Sequence, residues 1–245
     1  MTERLDRILV SQGLMSRKEA DVCIRRGRVR VDGSPVCRPE TKLDPEAVQL
    51  KLDGAPLRYQ RYIYIMMNKA PGILCATRDP QVQTVTDALP EAYRRRGLFP
   101  AGRLDRDAVG LLLLTDDGEA AHLLLSPARH VEKTYLVRYT GTLDDDAEAL
   151  FARGIGIDGG ETCRPAVLER TGPGEARVRV TEGRYHQVKR MIAAAGGEVT
   201  YLKRECFGPL TLDENLPSGG WRELYQDEVS KIMKIKEKTW IKAGE

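Results

Sequence analysis

The stretch "AGRLDRDAVGLLLLTDDGE", residues 101–119, decides how this chain is read. Arg103, Asp105, Arg106 and Asp107 fall within five residues, and Leu111–Leu114 follow almost at once. The leucine run is strand-sized and marks a buried strand. Charge this dense normally stays in water. A carboxylate just ahead of a buried strand is anchored at the edge of the core. Asp105 is therefore either half of a structural ion pair or a group held at a working site.

Outward from that strand the chain alternates strand-like and helix-like pieces without a regular βαβ rhythm. "RYIYIMMNK" (61–69) reads as a strand, and "EKTYLVRYTG" (132–141) and "EARVRVTEG" (175–183) alternate as antiparallel strands do. "GRYHQVKRMIAAAGG" (183–197) changes to helical spacing, with Val188, Ile192 and Ala195 on one side. The expected class is α+β, with a mixed, mostly antiparallel sheet.

The N-terminal part is built differently. Leu5, Ile8 and Leu9 share a helical face that stops at Gly13. Ser16 and Glu19 have the spacing of a capping box, and Ala20, Cys23 and Ile24 form the inner face of a second helix ending at Gly27. "RVRVDGSPV" (28–36) then reads as a hairpin turning at Asp32-Gly33. Arg17, Lys18, Arg25, Arg26, Arg28 and Arg30 project from the polar side of this unit. Residues 1–38 carry a net charge of +4 and the remainder −1, so all the excess positive charge lies here. Phosphate contact needs that concentration of Lys and Arg, although a solvated face looks similar. Residues 39–60, rich in Pro, Asp and Gly, read as the tail of the unit plus a linker. The expected divisions are 1–58, 60–235 and a Lys-rich tail at 236–245.

Composition removes several alternatives. The chain has 245 residues, 41% of them hydrophobic, enough for a real core. It begins "MTERLDR" and no apolar run approaches the roughly 18 residues that span a bilayer, so a cytoplasmic location is expected. Five scattered cysteines with no C-x-x-C pair fit neither a disulfide framework nor a zinc knuckle. There is no Walker-type phosphate loop, no G-x-S-x-G elbow and no H-E-x-x-H helix. "HVE" (130–132) is half of a nucleobase deaminase signature whose P-C-x-x-C half is missing. What remains is a carboxylate among basic groups. Near a cation such a group stays ionised and serves as a nucleophile or general base.

The motifs, taken together, resemble a known family. "GRLD" followed by "GLLLLTDDGE" is similar to the signature of the pseudouridine synthases, in the RsuA-type branch that modifies ribosomal RNA. "NKAPGILCATRD" (68–79), "HVEKTYLV" (130–137), "RPAVLE" (164–169) and "EGRYHQVKRMIAAAG" (182–196) fit in order. Residues 4–36 resemble the S4 RNA-binding domain. The resemblance covers about residues 3 to 230 and implies an isomerase without cofactor or metal. Asp105 would attack the target uridine, Arg103 would hold that nucleotide out of its helix, and Tyr135 would stack on the uracil and assist proton removal at C5. Lys189 would pair with Asp105, and Arg184 and the N-terminal basic residues would contact RNA. By periodicity alone Tyr135 is core, and Arg184, Lys189 and Arg190 are a solvated helix face. The motifs most resemble those of members acting on uridine 516 of 16S rRNA, as naked RNA or an assembling particle, with the protein as a monomer. Members acting on 23S rRNA share most of them, and a non-catalytic RNA-binding assembly factor is the alternative from another class. Two positions depart from the family pattern. "KAPG" (69–72) stands where K-P-x-G is usual, and Ala108 stands where Ser or Thr is usual.

Overall fold

The computed structural model describes residues 2–242. The chain forms two compact units. One holds the residues up to Ile63 together with Thr86–Leu98; the other holds Tyr64–Val85 and the chain from Phe99 onward.

In the first unit, helix α1 (Leu5–Ser11) buries Leu5, Ile8 and Leu9, the face expected from their spacing. Helix α2 (Arg17–Arg25) opens on the expected capping box. Ser16 N–H donates to Glu19 Oε2 at 2.7 Å, and Glu19 N–H donates to Ser16 Oγ at 3.4 Å. Strands β1 (Val29–Val31) and β2 (Ser34–Pro35) turn at Asp32 and Gly33, whose φ angles of 48° and 84° give the left-handed pair that a tight hairpin requires. Residues 39–60 are more than the tail and linker expected of them. They supply β3 (Leu50–Leu52) and β4 (Ala55–Leu57), which complete an antiparallel sheet in the order β2-β1-β3-β4. A second Asp-Gly turn, Asp53-Gly54 with φ of 51° and 85°, joins them. Helix α3 (Glu91–Arg96) also belongs here: Arg96 donates to Gln12 Oε1 at 3.1 Å and to the Gln60 carbonyl at 3.0 Å.

The second unit is built on one sheet. The strands of its main path are β5 (Tyr64–Lys69), β6 (Val109–Thr115), β7 (Lys133–Gly141), β8 (Val167–Gly172), β9 (Glu175–Val180), β10 (Gly197–Phe207) and β11 (Trp221–Glu223). The order is β8-β9-β7-β10-β6-β5-β11, and only the β6–β10 pairing along this path is parallel. The architecture is α+β with a mixed, mostly antiparallel sheet. Every residue of β6 is buried, with Leu111–Leu114 fully so, which explains why its sequence shows no alternation. Gly110 allows β10 to approach: a Cβ there would lie 2.4 Å from the Arg204 carbonyl oxygen, and its φ is +97°.

Helices α4 (Gly118–Leu125), α5 (Ala147–Arg153), α6 (Gln187–Ala194) and α7 (Gln226–Lys242) complete this unit. Asp117, fully buried, caps α4 by accepting from Ala120 N–H at 3.0 Å. It also accepts from the Tyr64 hydroxyl at 2.6 Å and from Lys236 Nζ at 2.9 Å. These bonds outweigh burial and hold its carboxyl below the usual range. The C-terminal stretch, expected to finish as a Lys-rich tail, is helical through Lys242, and Lys236 is one of its anchors. Its last three residues, 243–245, lie outside the described residues. No helix among the described residues is long and apolar enough to cross a membrane.

Candidate active site

Asp105 sits on the loop that leads into β6, and the loop is fixed from beneath. Leu104 is buried, and its N–H points at the Cys75 sulfur at 3.3 Å. Lys69, at the end of β5, is fully buried. Its ammonium donates to the carbonyls of Ala70, Arg106 and Ala108 at 3.1, 3.0 and 2.9 Å. Burial pushes this ammonium down; the nearby Asp105 and Asp107 pull the other way. Gly72 completes the clamp: its N–H donates to the Arg106 carbonyl at 2.8 Å and its own carbonyl accepts from Arg106 Nε at 3.1 Å. The "KAPG" turn is thus the support on which the Asp105 loop is laid, and Ala108 takes part through its backbone.

The opposite side is the loop 182–186 and the start of α6. Gln187 is buried, accepts from Arg184 N–H at 3.0 Å and donates to Glu182 at 2.8 Å. Glu182 also accepts from Arg164 N–H at 2.9 Å. The Arg184 guanidinium is held by Glu161 at 2.9 Å and Glu182 at 3.2 Å. This mesh closes the loop and presents His186 at its end, in a left-handed turn with φ of 48°. His186 Nε2 lies 3.6 Å from Asp105 Oδ1, and Lys189 Nζ lies 3.6 Å from Asp105 Oδ2. Each carboxylate oxygen thus faces a different nitrogen. Lys189 is closer still to Asp107, with both oxygens at 2.7 Å. Asp107, which looks like an idle surface charge in the sequence, is the direct partner of Lys189. That bond holds its carboxyl below the usual range.

Between the two sides lies a cleft of about 360 Å³, within the ordinary range for small-ligand sites. Arg103, exposed and without an ion pair among the described residues, stands at its rim beside Asp105. The wall is β7, where Lys133 and Tyr135 point to the same buried face. The β7–β10 register shifts between Thr134 and Tyr135, and Tyr135 then stands opposite Arg204. Both Tyr135 and Arg204 line the cleft.

A family model described as RNA pseudouridylate synthase matches residues 63–194, and the S4 domain model matches residues 3–48. The chain belongs to the RNA pseudouridylate synthase family. It is 44% identical over 233 residues to the ribosomal small subunit pseudouridine synthase A of Salmonella typhimurium, covering 94% of this chain and 99% of that protein. It is 42% identical to an uncharacterised RNA pseudouridine synthase of Bacillus subtilis, covering 92% and 96% respectively. A crystal structure of a pseudouridylate synthase, 36% identical, superposes with a TM-score of 0.66 over 94% of this chain and 99% of that one.

This RNA pseudouridine synthase, of the RsuA type, therefore brings Arg103, Asp105, Tyr135, Arg184 and Lys189 around one cleft or its margin. The basic residues of α2 and β1 belong to the other unit. There Arg25 pairs with Asp21 at 2.9 Å and Arg28 pairs with Asp53, whereas Arg17, Lys18 and Arg26 are exposed and make no ion pair among the described residues. Lys69, Lys133 and Arg204 are not singled out by the sequence, and no role for Gln187 can be derived from it. The signal available was position: Lys133 is two residues before Tyr135 and shares its face of the strand, and Gln187 lies within the "YHQVK" motif.

Burial pushes the Lys133 ammonium from its usual 10.5 down to about 8, with Arg204 lowering it further and Glu182 opposing. A folded value below the unfolded one means that the charged form opposes folding. The penalty is full below pH 8 and is relieved as the pH rises from about 8 toward 10.5. It amounts to about 3 kcal/mol at the conversion of 1.36 kcal/mol per pH decade. Thermal unfolding of the synthase and its Lys133→Met variant across pH 7–10.5 checks this. The variant is expected to be the more stable at pH 7, with the difference shrinking toward pH 10.5; a pH-independent difference contradicts it.

Proposed function

We propose that the synthase isomerises uridine 516 of 16S rRNA to pseudouridine, with Asp105 as the nucleophile. The observation that carries the catalytic half of this reading is Asp105 at the mouth of the cleft, its two oxygens 3.6 Å from His186 and Lys189. The relatives named ribosomal small subunit pseudouridine synthase A, 42–44% identical over 94% of this chain, support the choice of RNA.

The chemistry balances without an added reactant. The target nucleotide leaves its helix and enters the cleft, an unstacking that costs a few kcal/mol. Arg103 at the rim holds its backbone, and the Tyr135 ring receives the base, a contact of roughly 1–3 kcal/mol. An Asp105 oxygen bonds to the sugar C1′ as the C1′–N1 bond breaks, and the bonding pair leaves with the uracil. The uracil turns and C5 attacks C1′, returning the Asp105 carboxylate. C5 then gives up its proton, assisted by Tyr135, and N1 takes one up. Lys189, anchored by Asp107, fixes the orientation of Asp105. Arg184, braced by two carboxylates, keeps the loop 182–186 shaped against the substrate.

The test is to incubate the synthase with precursor small-subunit RNA and with assembling particles, and to map carbodiimide-resistant uridines by primer extension. A single new stop at position 516 is the expected result. Stops only in 23S rRNA move the assignment to the large subunit, and no stops on any substrate overturn the catalytic reading. The first unit grips RNA in this proposal through its unpaired cations. Converting Arg17, Lys18 and Arg26 to Gln should weaken RNA binding and reduce the slope of log K against log salt by about 2, from the counterions no longer released. An unchanged slope removes these residues from the interface.

A further inference from the structure

Two cations of the cleft have no use in the scheme above. Arg204 is 1% exposed, yet lines the cleft. Its Nε donates to the Leu111 carbonyl at 2.7 Å, and its guanidinium carbon lies 5.1 Å from the centre of the Phe207 ring. One terminal nitrogen, Nη2, is buried and has no hydrogen-bond partner among the described residues. Lys133, 9% exposed, lines the same cleft from the neighbouring strand, and its ammonium lies 5.6 Å from the same ring. Among the described residues it donates to the Val131 carbonyl alone, at 2.9 Å. Neither side chain forms an ion pair among the described residues.

Burying one cation without a carboxylate is unfavourable, and burying two side by side more so. A buried guanidinium N–H left unmatched is rare enough to need an explanation. Elsewhere in the unit buried charges have acceptors or counter-charges: Lys69 has three carbonyls, and Asp117 has Lys236 at 2.9 Å. The unmatched pair is therefore a site awaiting acceptors. Arg and Lys carry donors alone and no acceptor, so the missing partner is a hydrogen-bond acceptor, and oxygens that carry or can take on negative charge suit two cations best.

We propose that Arg204 and Lys133 form the floor of the cleft on which the carbonyl edge of the target uracil rests, and that they select uracil by its oxygens. The proposal rests on the cleft being the uridine site. Tyr135 stands opposite Arg204 and two residues from Lys133 on the same strand face, so a base against the Tyr135 ring has its polar edge within the reach of both cations. Uracil offers O2 and O4, both acceptors. Cytosine puts an amino donor in place of O4 and meets donors with a donor. When the C1′–N1 bond breaks, its electron pair spreads onto the same two oxygens. The floor then faces a uracil anion and holds it while it turns.

Asp105→Asn is expected to prevent turnover, so that binding is read alone by fluorescence anisotropy. Three RNA hairpins of the target sequence are needed, carrying uridine, cytidine or an abasic residue at the target position. The Asp105→Asn protein should bind the uridine hairpin at least tenfold more tightly than the other two. Adding Lys133→Met, or Arg204→Lys, should bring that preference below threefold and leave affinity for the abasic hairpin within twofold. Arg204→Lys keeps a cation but cannot serve Leu111 and the base together, and Lys133→Met leaves the Arg204 bond to β6 intact. Retention of the full preference in both double variants overturns the proposal, as does an equal fall in affinity for all three hairpins. If Asp105→Asn alone shows no preference for uridine, the cleft is not a uridine site, and both this inference and the reading beneath it fail.

Discussion

Asp105→Asn is expected to lower pseudouridine formation by roughly 10⁴-fold or more, the scale seen when a group central to covalent catalysis is removed. The substitution keeps the size of the side chain and its capacity to hydrogen-bond. It removes the charge and the nucleophilic oxygen. The loop has little reason to move, because Lys69, Gly72 and the buried Leu104 hold it without using the Asp105 side chain. RNA binding should therefore stay within about twofold of the original, since the loss falls on the reaction rather than on uniform binding. Single-turnover assays on the substrate that the wild type modifies, with carbodiimide mapping as the readout, give the rate. Filter binding gives the affinity. A variant retaining a tenth of the rate would show that Asp105 is not the nucleophile. Lys189→Met should fall between the two, because Asp105 keeps its nucleophile but loses the ammonium 3.6 Å away.

Much of this site was readable because it is written in local patterns. An apolar run without alternation announces a strand buried on both faces, and Leu111–Leu114 are such a run. A Ser and a Glu three residues apart announce a helix start, and Ser16 and Glu19 make both bonds. Local pattern is silent on what a residue meets across the fold. Strands β3 and β4 hide in a segment whose Pro, Asp and Gly content suggests a linker, although its Asp53-Gly54 turn is a hairpin signal. Helix α3 packs with the first unit while lying within the second in sequence, and no periodicity records which core a helix joins. Lys69, Lys133 and Arg204 are long cations, which composition alone places in water. Only the carbonyls around Lys69, and the want of a partner at Arg204, give them meaning. Asp107 reads as an ordinary surface charge because its worth depends on Lys189, 82 positions away.

Lys69→Met is expected to injure both stability and activity, and the two effects separate the roles of the clamp. The methionine fills a similar volume but donates nothing, so the carbonyls of Ala70 and Ala108 lose the Lys69 donor and that of Arg106 keeps only the Gly72 N–H. A buried acceptor left unsatisfied costs about 1–3 kcal/mol. The variant is relieved of burying a charge, which offsets part of that loss. A net destabilisation of about 3 kcal/mol follows, or roughly 10 °C in thermal midpoint for a protein of this size. Activity should fall more than stability alone predicts. Two of the three carbonyls belong to Arg106 and Ala108, which follow Asp105 in the loop. A shift of about 1 Å in a reacting group lowers rates by about 100-fold. The decisive measurement is the single-turnover rate well below the variant's own midpoint, where the chain is folded. A rate reduced by about 100-fold, with RNA affinity preserved, identifies Lys69 as a positioning residue for Asp105. A lowered midpoint with an unchanged rate would make it a structural residue alone. An unchanged midpoint would show that the three carbonyls find other donors and that the clamp does not hold the loop.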